Sequence, residues 1–478
     1  MNTKKIDLLL YNTESRALEP VSPLNGHTVL MYTCGPTVYN FAHIGNFRTY
    51  VFEDVLRRTI KFFGMDVEQV MNLTDLDDKT LRGALDNNIS LAEFTAPFTK
   101  AFFEDLDTLG IQRAEHYPKA TDYIPDMIHI IENLLEKGVA YKGSEGSIYF
   151  SIKKFPSYGR LSHLHLDELL AGASDRIAAD DYDKDQASDF VLWKAHDATR
   201  DGEIFWESPF GIGRPGWHIE CSAMAMELLG ETIDIHVGGV DNMFPHHENE
   251  IAQCEAYSEK HFVKHWLHSE HLLVDHKKMS KRLNNFYTLR DLLNKGYSGA
   301  EVRYILMQTH YRVQLNFTFE GLDAARNSLD RLDAFVKRLH SVTGLESHGF
   351  VKLVLNKLLT SFTEAMADDL NISVALAALF EAVREINILC DAGKVSEEEA
   401  RSVLKTLASI DTVLHVIPLS AKEETIPQEL LEALEKRQTA RSEKNWKESD
   451  HYRVLILSRG YIIEDTPLGA RLKKQRKL

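Results

Sequence analysis

The chain has 478 residues, of which 44% are hydrophobic and 26% charged, the balance of a globular protein long enough for about three domains. No apolar run approaches the roughly 18 residues of a membrane span. Four cysteines over this length make no disulfide framework, so a stapled secreted scaffold is excluded and a reduced, cytoplasmic setting is expected. The formal net charge of −16 excludes a uniformly basic nucleic-acid binder but leaves room for a local basic groove.

The apolar run at the N-terminus is too brief for a signal peptide. Thr28 to Tyr32 reads as a strand stopped by Cys34-Gly35-Pro36, which places Cys34 at its carboxyl end. His43-Ile44-Gly45-Asn46 follows, and Val51, Val55 and Ile60 have near-helical spacing. A strand, a Gly-rich turn and a helix start form the geometry that receives phosphate, because free backbone N–H groups and the helix dipole point there. Val67 to Leu73 is a second strand, running into Thr74 and Asp75. Those two residues suit either ligand contact past a strand or the capping of the next helix.

A helix is expected over Ile124 to Glu136 and a hairpin at Lys142 to Gly146, followed by an acidic loop from Ala171 to Ser188. Trp217 opens a helix that stops at Gly230. Ile233 to Val237 then alternates as a strand and ends in Gly238-Gly239, with Asp241 just beyond. Pro245 suits a first helical position, which puts His246 and Glu250 four residues apart on one face. Lys278-Met279-Ser280-Lys281-Arg282 forms a basic turn. Helical patterns fill 319–342, 350–368, 373–391 and 397–409. After a linker from Val416 to Pro427 they resume at 428–440 and 446–458, and the chain closes on a basic tail, Arg471 to Leu478.

Cys34, Cys221, His246 and Glu250 offer thiolate, imidazole and carboxylate, all normal zinc ligands. They come from three distant segments, so spacing alone leaves two buried cysteines and a paired histidine as the alternative. His43, His218 and His236 taken singly are ordinary structural histidines, and Lys278 and Lys281 taken alone fit a solvated turn.

CGPTVY, HIGN, NLTDLDDK, GWHIECSAM, FPHHENEIAQ, KMSK and DTPLG, in this order, resemble the motifs of cysteinyl-tRNA synthetases within the class I aminoacyl-tRNA synthetase family. The resemblance implies an α/β Rossmann-like catalytic domain with a parallel sheet and a connective insertion, then an α-helical bundle domain and a small C-terminal anticodon-binding domain. The matching divisions are 1–125 and 200–290 for the split catalytic domain and 126–199 for the insertion. Residues 291–340 would be a stem-contact-like linker region, 341–415 the bundle and 425–478 the C-terminal domain.

The resemblance also implies the activity: ATP-dependent formation of cysteinyl-adenylate from L-cysteine and transfer to the 3′ end of tRNA(Cys) by a monomer, with Mg²⁺ accompanying ATP. Cys34, Cys221, His246 and Glu250 would hold one Zn²⁺ that selects the substrate thiolate. His43, Asn46, Lys278 and Lys281 would be catalytic. ATP would be bound by His43, Gly45, Asn46, Gly238, Gly239, Asp241, Lys278, Met279, Ser280 and Lys281. Thr74, Trp217 and His236 would line the amino-acid pocket. Asn46 and Arg282 stand where the family's HIGH and KMSKS motifs have His and Ser. The rival readings are the related ligase that joins cysteine to an amino sugar, which lacks an anticodon-binding region, and an inactive relative that only binds tRNA or zinc.

Overall fold

The structure is a computed structural model that describes residues 6–164, 189–283, 285–419, 427–466 and 469–474. The acidic stretch from Ala171 to Ser188, residues 467 and 468 of the DTPLG motif and residues 475–478 of the basic tail lie outside the described residues.

An antiparallel hairpin comes first, β1 (Leu9–Asn12) and β2 (Ala17–Pro20). The central sheet is built from β3 (Thr28–Thr33), β4 (Asp66–Met71), β9 (Ile233–Gly239) and β10 (Val263–Ser269), all parallel, in the order β10-β9-β3-β4. The chain runs outward from β3 to β4 and returns on the other side as β9. A switch point therefore opens between β3 and β9, and ligands of open α/β sheets bind at the carboxyl ends of the strands flanking such a point. The strands are buried on both faces, as β9 shows from Ile233 to Gly238, which is why they read as apolar runs rather than clean alternations.

Between β4 and β9 the chain makes α1's successors and an inserted sheet. Helix α1 (Ile44–Phe62) links β3 to β4 and is followed after β4 by α2 (Asp78–Asn87), α3 (Leu91–Leu109) and α4 (Ile124–Glu136). Strands β5 (Ala140–Lys142), β6 (Ile148–Phe150), β7 (Phe190–Ala195) and β8 (Gly213–Pro215) form an antiparallel sheet in sequence order. Helix α5 (Trp217–Leu229) then leads into β9, and α6 (Glu248–Ser258) into β10. Asp77 caps α2, with its side chain accepting from Lys79 N; neither Thr74 nor Asp75 does so. Asp75 instead accepts from Thr121 N at 3.0 Å.

After β10 come β11 (Leu272–Val274) and β12 (Lys277–Lys278), then α7 (Leu289–Asn294), α8 (Gly299–Met307) and β13 (Leu315–Phe317). Four longer helices follow: α9 (Phe319–His340), α10 (Phe350–Ala367), α11 (Ile372–Asp391) and α12 (Glu397–Leu414). One continuous core joins α1 and its side of the sheet to these helices, through Leu56, Ile60, Val302, Leu332, Phe362 and Leu407. A second core fills the other face of the sheet, with α4, α5, α6 and the inserted sheet. Helices α13 (Gln428–Ser442) and α14 (Trp446–Ser458) and the hairpin β14 (Tyr461–Thr466) and β15 (Gly469–Lys474) share a small core of their own around Leu430, Leu434, Ile456 and Tyr461.

The charges on α1 do not face water. Asp54 is fully buried, with the Arg58 Nε 2.7 Å and the Arg303 guanidinium 2.6 Å away. Arg303 also donates to the carbonyl of Leu414 at 2.8 Å, and Arg58 to that of Thr412 at 3.2 Å. These bonds tie the middle of α1 to the end of α12. Among the described residues no helix is long and apolar enough to cross a membrane.

Candidate active site and metal centre

His43 is the N-cap of α1: its Nδ1 accepts from Asn46 N at 3.1 Å, and Asn46 Oδ1 accepts from His43 N at 3.1 Å. This reciprocal box satisfies two donors at the helix start. It also fixes the tautomer, since a ring whose Nδ1 accepts carries its proton on Nε2. Burial pushes the imidazole down to about 4 against the opposing pull of Asp241, so the ring is neutral at pH 7.

The cleft beside this helix start encloses about 340 Å³ and is lined by His43, Gly45, Asn46, Gly239, Asp241, Lys278 and Met279, with Cys34 at its edge. Seven of the predicted nucleotide-binding residues thus meet here. Gly45 lies where the two motifs come close: a Cβ on it would lie 3.1 Å from Met279 Cε and 2.9 Å from the His43 ring. Lys278 sits exposed on β12. Ser280 N–H donates to Asn285 Oδ1 at 2.8 Å, shaping the loop, and Lys281 opens the short turn Lys281–Leu283. Gly238 departs from its expected place. It is buried and absent from the cleft lining, and a Cβ there would lie 2.7 Å from His247 Cε1, so its bareness makes room for a histidine.

Below the cleft the donor atoms of Cys34, Cys221, His246 and Glu250 all lie within 4.8 Å of one another. Cys34 leaves the end of β3, and Cys221 sits in the second turn of α5. His246 and Glu250 come from a continuous helical run that begins after Phe244, whose backbone is extended (φ −135°, ψ 132°), so Pro245 follows the break as its spacing required. His246 Nε2 lies 3.0 Å from Glu250 Oε1, yet that oxygen has no aligned donor although the side chain is fully buried. A buried carboxylate oxygen without a hydrogen is costly. Two thiols, an imidazole nitrogen and that oxygen form a donor set that zinc accepts. Tetrahedral ligands at ~2.0–2.3 Å would stand roughly 3.3–3.8 Å apart, so only a modest contraction separates this cluster from a metal shell. All four cysteines are free thiols.

A second, overlapping group is Cys34, His236, His247 and Glu250. His247, which the sequence reading does not single out, has its Nε2 3.3 Å from Cys34 Sγ and its Nδ1 2.8 Å from His268 Nε2; His268 Nδ1 in turn meets Thr13 Oγ1 at 2.8 Å. His236 Nε2 is hydrogen-bonded to Glu250 Oε2 at 2.9 Å. His247 Nε2 and His236 Nε2 are thus each hydrogen-bonded within the group, to Cys34 and to Glu250. The first group keeps His246 Nε2 available while its Nδ1 is held 2.9 Å from His218 Nδ1, the arrangement by which an outer partner orients a metal-binding ring.

Burial pushes His218, His236 and His268 down to about 3, and His246 and His247 well below the ordinary value. The array is neutral, as metal-binding imidazoles must be. Burial also pushes Glu250 up, with no cation beside it to oppose the shift, which is an environment that a divalent cation would reverse.

Of the predicted amino-acid pocket, Trp217 stacks on His246 with ring centroids 4.2 Å apart and stays partly exposed, while His236 packs against Trp266 at 4.5 Å. Thr74 is buried. Its hydroxyl accepts from Asn72 Nδ2 at 3.0 Å, and its backbone bonds Pro36 and Val38.

A parallel sheet with a capped phosphate-type helix start and a lysine loop meeting at its switch point defines a class I synthetase catalytic fold. Residues 20–327 match the family model described as tRNA synthetases class I (C) catalytic domain, and residues 361–417 match the DALR domain. The protein named cysteine–tRNA ligase from Protochlamydia amoebophila is 62% identical over 99% of both chains. Its namesake from Chlamydia abortus is 56% identical over 98% of both. Among solved structures, a methionyl-tRNA synthetase from Mycobacterium tuberculosis in complex with methionyl-adenylate aligns over 82% of this chain and 89% of its own, with a TM-score of 0.58 at 12% identity. A putative arginyl-tRNA synthetase from Campylobacter jejuni aligns over 84% and 94%, with a TM-score of 0.56 at 14% identity; both likenesses concern the fold. The chain belongs to the cysteine–tRNA ligase family of class I synthetases.

Proposed function

We propose that this protein is a cysteine–tRNA ligase that activates L-cysteine with Mg²⁺-ATP and transfers it to the 3′ end of tRNA(Cys), working as a cytoplasmic monomer. The observation that carries the reading is the cluster of Cys34, Cys221, His246 and Glu250 within 4.8 Å, beneath a cleft lined by His43, Asp241 and Lys278. Zinc bound there would hold a substrate thiol as thiolate, a bond that an alcohol does not match. Shape alone separates such near-isosteres by only about a hundredfold, so sulfur over oxygen becomes a matter of ligand chemistry.

The protein's own groups supply the rest. The neutral His43 ring donates from Nε2 toward phosphate oxygens. Lys278 and Lys281 bring positive charge on a loop to the departing pyrophosphate, where preorganised charge provides most of the acceleration. Asp241 at the cleft edge is placed to accept from a ribose hydroxyl. Thr74 and Trp217 bound the amino-acid side. Residues 425–478 form the anticodon-binding domain. In its support, a hollow of about 450 Å³ there is lined by Arg437, Arg441, Trp446, Arg453 and Tyr461, the basic and aromatic mixture that suits unpaired bases.

The test combines aminoacylation of tRNA(Cys) with labelled cysteine and elemental analysis. Wild type is expected to charge tRNA(Cys) with cysteine, to refuse serine and to contain one zinc per chain, whereas Cys34→Ser loses both metal and charging. Full discrimination by protein free of zinc would overturn the proposal.

A further inference from the structure

The crossover from β3 to α1 is anchored at its start and bare in its middle. Gly35 N–H donates to Asn72 Oδ1 at 2.9 Å, and a Cβ on Gly35 would sit 1.8 Å from the Asn72 carbonyl oxygen. Val38 N–H donates to the Thr74 carbonyl at 3.1 Å, and Val38 is 1% exposed. The next residues turn outward: Tyr39 is 38% and Phe41 40% exposed, although the loop re-enters the cleft at His43. Each ring has a cation near it. Lys79 Nζ lies 5.0 Å from the Tyr39 centroid, and Arg290 Cζ lies 5.2 Å from that of Phe41. Phe41 is braced from one side by the edge of Phe98 at 5.5 Å. The acids nearby are already engaged, Asp78 by Lys194 and Arg214 and Glu104 by Arg290.

We propose that Tyr39 and Phe41 form a stacking platform at the mouth of the cleft for the unpaired 3′-terminal nucleotides of the tRNA, with Lys79 beside the incoming phosphates. Exposed aromatic rings paired with cations on a rigid backbone are how proteins hold single-stranded nucleic acid without reading its sequence. The location supports this occupant over a protein partner. The terminal ribose must reach the cleft beside His43, and Gly35 and His43, which flank the ring-bearing stretch in the chain, both line that cleft.

The inference rests on the proposed tRNA-charging function, and the assay separates the two. Tyr39→Leu, Phe41→Leu and the double variant are compared with wild type in cysteine-dependent pyrophosphate exchange, which needs no tRNA, and in charging of tRNA(Cys). Exchange is expected to stay within about twofold. KM for tRNA is expected to rise roughly five- to a hundredfold per ring, the range for loss of one base stack, and Tyr39→Trp restores it. A tRNA(Cys) transcript lacking its last three nucleotides should inhibit wild type and variants equally. Unchanged KM, exchange falling in step with charging, or weaker inhibition by the shortened transcript would each overturn the platform. Wild type that forms adenylate but never charges tRNA(Cys) would instead defeat the underlying function.

Discussion

His43 caps a helix and faces the cleft, and the two tasks can be separated by substitution. Asparagine is among the best N-cap residues and its oxygen can accept the Asn46 N–H as Nδ1 now does at 3.1 Å, so His43→Asn should cost only a few tenths of a kcal/mol in stability, against about 1 kcal/mol for His43→Ala. Both variants lack the Nε2–H donor. Removing one preorganised donor from developing charge costs about 2.7–4 kcal/mol, or roughly 10²–10³ in kcat. Pyrophosphate exchange should therefore fall to that extent in both variants, while Tm falls clearly only in His43→Ala. Burial lowers His43 to about 4, so wild-type exchange should show no inflection from this group between pH 6 and 8. The sign for stability follows: between its unfolded value near 6.5 and about 4 the unfolded chain binds the extra proton, so His43 subtracts stability as pH drops through that window. Exchange by His43→Asn within fivefold of wild type would refute the donor role and leave His43 a cap alone.

Asn46→His should be tolerated, with exchange within about threefold, because an imidazole nitrogen at this helix position can still accept from His43 N and the lost fit is at most a cap bond of about 1 kcal/mol; a large loss of exchange would show that the amide itself is required. Asp54→Asn leaves the Arg58 and Arg303 guanidiniums buried without their counter-charge and should destabilise by about 3–5 kcal/mol, read as a lower Tm with zinc content unchanged. Burial pushes Asp54 up, but Arg303 and Arg58 outweigh it and hold it below the ordinary range. Burial likewise opposes the Arg57 bonds that hold Glu115 at about 2. Stability from each carboxylate is present above its unfolded value, 3.8 for Asp54 and 4.5 for Glu115, and is lost as pH falls through its lowered folded value, about 2 for Glu115, so the Tm of Asp54→Asn should depend less on acid pH than that of wild type.

The parts of the site that were legible in the sequence are those set by local rules. A strand ended by Gly-Pro, a capped helix start and a helix stopped at Gly230 placed Cys34, His43 and Cys221 correctly, and i,i+4 spacing paired His246 with Glu250. What could not be read depends on segments meeting in space. His247 is one residue from His246, and helical periodicity sets it on a different face. It turns inward because Gly238 leaves room on β9 and His268 on β10 offers a partner, and neither neighbour is near it in sequence. The bare Gly238-Gly239 pair carried the only local signal, and it reads equally well as room for a nucleotide. Similarly, Glu53, Asp54, Arg57 and Arg58 resemble the wet face of an amphipathic helix. Glu115 takes up Arg57, Arg303 takes up Asp54, and Arg58 reaches the carbonyl of Thr412 some 350 residues later, and together these turn that face into an interior.

That buried ionic seam makes the region that follows the cleft inseparable from it. A fragment ending before α9 would leave the back of α1 apolar and bare, with Arg58 and Arg303 stripped of the carbonyls that α12 provides. The hairpin-and-helix unit after residue 427 has its own interior and can be exchanged or lost without opening another. Gene fusions and deletions in this lineage are thus free to experiment at the far terminus, whereas the stretch from α9 to α12 must be inherited with the catalyst or not at all.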